Sequence, residues 1–118
     1  MIVEDESTIA YILKASLRDL DDRMDVHLAL SGESAIELAR KHHLDLLITD
    51  YYLEDTNALD LVKDLREISN NFTWILITAF GSEEMEENAR ELGAYAIYHK
   101  PFPVTDLKRA VLQILTGH

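Results

Sequence analysis

With 118 residues, 47% of them apolar, the chain has the length of one domain and enough hydrophobic side chains for a real core. Its 22 acidic residues against 11 basic ones leave a net charge of −11, which argues against this domain gripping a phosphate backbone directly. It has no cysteine, no apolar run of membrane-span length and no signal-peptide pattern, which excludes disulfides and thiolate metal centres and makes a cytoplasmic domain the expectation.

The chain opens on a short apolar run, 1–3, which then meets Glu4, Asp5 and Glu6. Apolar positions at helical spacing follow over 7–20: Ile9, Ile12, Leu13, Leu17 and Leu20. Residues 25–30 read as a strand, and 32–42 as a helix with Ser31 as N-cap. Residues 44–49 are a buried strand. A helix over 58–68 carries Leu61, Val62, Leu65 and Ile68 on one side, with Asn57 as its cap. The run 73–80 is apolar on both faces and rich in β-branched and aromatic residues. Residues 82–93 are helical, with Ser82 at the start, acids in the first turn and Gly93 at the end. A strand over 94–99 and a helix over 104–116 complete the chain.

Strand and helix therefore alternate five times. Strands separated by helices need crossovers, so the sheet should be parallel, with helices on both faces. The expectation is one doubly wound α/β domain over 1–118, its five strands ordered 2-1-3-4-5. The first strand reads a residue or two short, so residues are expected before Met1.

In open parallel sheets, ligands bind beyond the carboxyl ends of the strands, where strand order reverses. Glu4 and Asp5 follow the first strand, Asp50 the third, Thr78 the fourth and Lys100-Pro101 the fifth. These should meet at one edge. Three carboxylates suit Mg²⁺, a hard cation that takes oxygen ligands. Asp5 and Asp50 would ligate it directly, and Glu4 directly or through water. The cation and Lys100 would offset repulsion among the carboxylates. An ionised Asp50 is a competent nucleophile toward a phosphoryl group, with Thr78 and Lys100 placed to bind phosphoryl oxygens.

The segments "IVEDE", "LLITDYYLED", "ILITAF" and "YHKPF" resemble the four signatures of two-component response-regulator receiver domains, in order across essentially the whole chain. The resemblance implies a flavodoxin-like fold and a phosphorelay switch rather than a turnover enzyme. It implies Asp50 as phospho-acceptor, and Glu4 and Asp5 as the acidic pair for Mg²⁺. The Tyr52 backbone carbonyl would be a further ligand. Thr78 would be the hydroxyl that moves toward the phosphoryl group, Lys100 its partner, and Lys100-Pro101 a cis peptide. A histidine kinase or phosphotransfer protein would be the donor. The face of the fourth helix, fifth strand and fifth helix would serve an output domain or a homodimer.

Some positions depart from the family pattern. Glu54 and Ala58 stand where the family usually has Pro and Gly, so the loop after Asp50 is expected to take its own path. Ile97 replaces the usual aromatic residue three before Lys100, which removes a ring-rotamer switch at that position. Tyr52 and Phe80 are bulky where the family tunes dephosphorylation, giving an expectation of slow decay. The fourth helix has a thin apolar side, Met85, Ala89 and Leu92, and should be easily displaced. His27, His42 and His43 read as structural, and neighbours on a helix such as His42 and His43 do not share a face. Two other functions compete. One is a small Mg²⁺-dependent phosphohydrolase with an Asp nucleophile, against which Tyr52 stands where a second acid is usual. The other is a non-phosphorylated interaction module of the same fold.

Overall fold

The computed structural model describes residues 1–21 and 24–117. Its elements are β1 (Ile2–Val3), α1 (Ser7–Arg18), β2 (Leu28–Ala29), α2 (Gly32–Lys41), β3 (Leu46–Asp50), α3 (Ala58–Ile68), β4 (Thr73–Thr78), α4 (Glu83–Glu91), β5 (Ala94–His99) and α5 (Val104–Thr116). The five strands form one parallel sheet in the order β2-β1-β3-β4-β5. Alternation and strand order are as the sequence predicts.

The ends of elements differ for local reasons. The β2 edge strand is two residues long rather than 25–30, because its only partner, β1, is equally short. The His27 carbonyl still accepts the Ile2 N–H at 2.9 Å. Helix α1 ends at Arg18 rather than residue 20, where the Leu20 N–H turns to the Leu17 carbonyl in a tighter turn. Strand β4 stops at Thr78 rather than residue 80, and the Thr78 hydroxyl bonds both backbone groups of Phe80. Three caps are as expected. Ser31 accepts from the Ser34 N–H, Asn57 from Asp60 and Ser82 from Met85. Gly93 follows α4 at φ +87°, a left-handed conformation that favours glycine.

The sheet separates two cores. Val3, Leu47, Trp74 and Leu76 face α2, α3 and α4, meeting Ala35, Leu61, Leu65 and Met85 among others. Ile2, Ile48, Ile75 and Ile77 face α1 and α5, meeting Leu13, Leu17, Leu107 and Val111. In β5 the alternation slips. Trp74 pairs with Ala94 and Ile75 with Ala96, so Tyr95 is an extra, unpaired residue, a β-bulge. The bulge sends Ile97 to the α4 side and Tyr98 to the α5 side.

The loop after β3 is tied to α2. The Asp55 carboxylate accepts the Gly32 N–H at 2.8 Å and the Glu33 N–H at 2.9 Å, capping α2 from a residue 23 positions away. The approach is close enough that a Cβ at Gly32 would collide with Thr56 Cγ2. These backbone donors hold the Asp55 carboxyl below its ordinary 3.8. A depressed folded-state value means the contribution to stability is present above 3.8 and is lost as pH falls through that lowered value. Asp55→Ala should lower the urea midpoint at pH 7, and the gap to the parent should close as the pH is taken below 3.8. A gap of constant size across that range would show that the carboxylate does not act as the cap.

Candidate functional site

The register of the sheet builds the site. Val3 lies beside Thr49 and Asp50 beside Ile77. One step past Val3, Glu4 comes alongside Asp50, the last residue of β3. Thr78 pairs with His99 at the end of β4, and the Lys100 N–H donates to the Thr78 carbonyl at 2.8 Å. The Lys100-Pro101 peptide is cis, as the resemblance implied.

Lys100 Nζ lies 3.0 Å from Glu4 Oε2 and 3.2 Å from Asp50 Oδ2, bridging the two carboxylates. Glu4 is 1% exposed and Asp50 8%. The other Asp50 oxygen accepts the Tyr51 N–H at 2.8 Å, and Glu4 Oε1 accepts the Glu6 N–H at 3.3 Å. Asp5 is exposed and unburdened by that pairing, yet an oxygen from each of Glu4, Asp5 and Asp50 lies within 4.8 Å of the others.

Charge in this corner is not balanced. Burial pushes the Glu4 carboxyl above its ordinary value, Asp50 adds to the rise, and the hydrogen bond from Lys100 only partly opposes it. Burial would lower Lys100, but the hydrogen bond to Glu4 and the charge of Asp50 outweigh it, and the ammonium is held more firmly protonated. One cation, paired with two of three neighbouring carboxylates, leaves negative charge over. A hard divalent cation with open coordination positions fits such a donor set.

Thr78 is buried, and its hydroxyl donates to the Phe80 carbonyl at 2.9 Å, a local bond within the loop that leads to α4. Of the sequence-predicted set, Lys100 therefore meets Glu4 and Asp50, Asp5 lies near both carboxylates, and Thr78 adjoins them at the same edge. Tyr52 lies two residues past Asp50, its backbone bridged to Asn57 and its ring exposed. Phe80 is also exposed. Tyr98 does not replace the missing ring at 97. It stacks on Phe102 on the other face, its hydroxyl donating to the Asp106 carbonyl at 3.3 Å, and burial, with Asp106, raises its phenol. Sequence reasoning did not find Asp55. A lone loop aspartate carries no mark of which distant helix it will cap.

The order of the sheet, with a buried aspartate, acidic neighbours and a facing lysine at its carboxyl edge, defines a receiver-type signalling domain. The response regulator receiver domain family matches residues 1–112, and the chain belongs to that family. It is 26% identical over 115 residues to sporulation initiation phosphotransferase F of Bacillus subtilis, covering 98% of this chain and 91% of that protein. It spans about half the length of several other curated relatives, at 32–36% identity. The fold superposes on a response regulator receiver domain protein from Methanospirillum hungatei with a TM-score of 0.89, at 22% identity, covering 98% of this chain and 91% of that one. It is also similar to a response regulator from Burkholderia pseudomallei bearing a phosphorylated aspartic acid, a calcium ion and citrate. That match has a TM-score of 0.82 at 20% identity and covers 98% of this chain and 68% of that one. Among the described residues, no helix is long and apolar enough to cross a membrane.

Removing the shared ammonium should expose the imbalance. Lys100→Met leaves Glu4 and Asp50 facing each other without a counter-charge. The expected loss, read by chemical denaturation in EDTA, is on the order of 3 kcal/mol. Saturating Mg²⁺ should recover part of it. Parent-like stability of the variant in EDTA would contradict this account.

Proposed function

We propose that the chain is the phospho-accepting switch of a two-component phosphorelay, with Asp50 as the acceptor. The observation that carries this is the Lys100 ammonium set between Asp50 and Glu4, with Asp5 completing a trio of carboxylate oxygens within 4.8 Å. Glu4, Asp5 and Asp50, with the Tyr52 carbonyl, would hold Mg²⁺. When bound, that ion neutralises carboxylate and phosphoryl charge. An Asp50 oxygen forms the new bond to phosphorus as the P–N bond to the donor histidine breaks, and the leaving imidazole nitrogen takes up a proton. Lys100 then exchanges its Asp50 contact for a phosphoryl oxygen. Thr78 leaves the Phe80 carbonyl to donate to another. The phosphorylated aspartate of the Burkholderia relative supports this reading.

The donor is a histidine kinase or a phosphotransfer protein. The face of α4, β5 and α5 is the output surface, toward an output domain or a second copy. Tyr95 lies exposed there, its hydroxyl bonded to Gln113 at 3.1 Å. The coupling runs from Thr78 through residues 79–82 into α4. That helix buries only Met85 and Ala89. Its far end is held more firmly, since the Leu92 carbonyl accepts from Arg66 at 2.6 Å and from the Trp74 indole at 3.0 Å.

Acetyl phosphate with Mg²⁺ should place one phosphoryl group on the chain, seen by intact mass. The group should be absent in Asp50→Asn and in EDTA, and should persist through desalting with Tyr52 and Phe80 flanking the site. Continuous phosphate release would instead mark a phosphohydrolase, and no reaction a silent interaction module. With beryllofluoride, amide exchange should change across 79–99, most at 79–87. An identical exchange pattern would remove α4 from the switch.

A further inference from the structure

A second group of ligand-type side chains lies at the opposite, amino edge of the sheet. Asp25 and His27 stand on the approach to β2, and His42 is the C-cap residue of α2. His27 Nε2 is 3.0 Å from Asp25 Oδ2, and the His27 and His42 rings stack with centroids 4.2 Å apart and planes 27° apart. A ring nitrogen from each histidine and an Asp25 oxygen all lie within 4.8 Å of one another. Sequence periodicity could not pair these histidines, which are 15 positions apart. It addressed only His42 with its neighbour His43, and His43 pairs instead with Asp45 at 3.1 Å.

Both histidines are anchored through their backbones. The His27 carbonyl receives the Ile2 N–H at 2.9 Å, and the His42 N–H donates to the Leu38 carbonyl at 2.9 Å. His27 is half-buried, whereas Asp25 and His42 are exposed, on the wall of a cleft of about 640 Å³ also lined by Leu17, Leu38 and Leu115. The backbone placement is thus fixed while the side chains keep room to turn. A tetrahedral ion with bonds near 2.1 Å needs donor atoms about 3.4 Å apart and ring planes that converge on it, so the exposed His42 ring has to turn out of its stack on His27.

We propose that Asp25, His27 and His42 form a site for a divalent transition metal of the zinc type, separate from the carboxylate trio around Asp50. Two imidazoles and one carboxylate are the donor set of such ions, whereas Mg²⁺ prefers oxygen alone. The metal replaces the proton through which His27 meets Asp25. Solvent fills the remaining positions. The bound ion links the approach to β2 with the end of α2 and so stabilises the amino edge of the domain by mass action.

The test is calorimetric titration of the chain with ZnCl₂ in saturating Mg²⁺. The expected result is one zinc per chain, retained in Asp50→Asn and weakened at least about tenfold in the His27→Gln/His42→Gln double variant, as loss of first-sphere ligands requires. A second readout needs no variant. Ring-nitrogen resonances of His27 and His42 should move on zinc addition while those of His43 stay in place. Unchanged affinity in the double variant, no binding in the presence of Mg²⁺, or a response confined to His43 would each overturn the proposal.

Discussion

The structure is organised around an electrostatic debt at one edge of the sheet. Burial removes Glu4 and Asp50 from water, and the ammonium of Lys100 is the charge set against both. These residues are separated by up to 96 positions, and only a parallel sheet with β1 and β3 side by side brings them together. The apolar strands serve that end. Ile2, Val3, Ile48, Ile75 and Ile77 are fully buried, and they fix the depth at which each strand emits its polar residue. Two-sided burial makes the register strict, since a slip of one residue would turn each strand's side chains to the wrong core.

The arrangement also divides labour among the groups at the edge. Asp50 and Glu4 are constrained by backbone donors and by Lys100. Asp5 stands exposed beside them. Thr78 is engaged elsewhere, with the loop that leads to α4. Position 97 is isoleucine and Tyr98 is pinned on the opposite face, so neither position sets an aromatic ring on the α4 side.

Much of this was legible in the sequence because it rests on period and position. The β-α alternation, strand order, helix caps at Ser31, Asn57 and Ser82, and the meeting of Glu4, Asp5, Asp50 and Lys100 follow from patterns along the chain. What the sequence hid depends on partners that no local rule supplies. The length of β2 was set by β1. The bulge at Tyr95 looks like ordinary strand until Trp74 and Ile75 are seen opposite Ala94 and Ala96. Asp55 as a cap for α2, and His27 stacked on His42, are long-range pairings of residues whose types are common in loops.

The strap from Asp55 to the start of α2 gives Asp50 two unequal flanks. On the side of the β3-α3 loop, the chain is moored to a neighbouring helix by a doubly bonded carboxylate. On the side of the β4-α4 loop, it rests on one hydroxyl and a helix with two buried side chains. Stress arising between them will relax along the softer flank. The direction in which the domain yields is thus written into its resting architecture, before any ligand arrives.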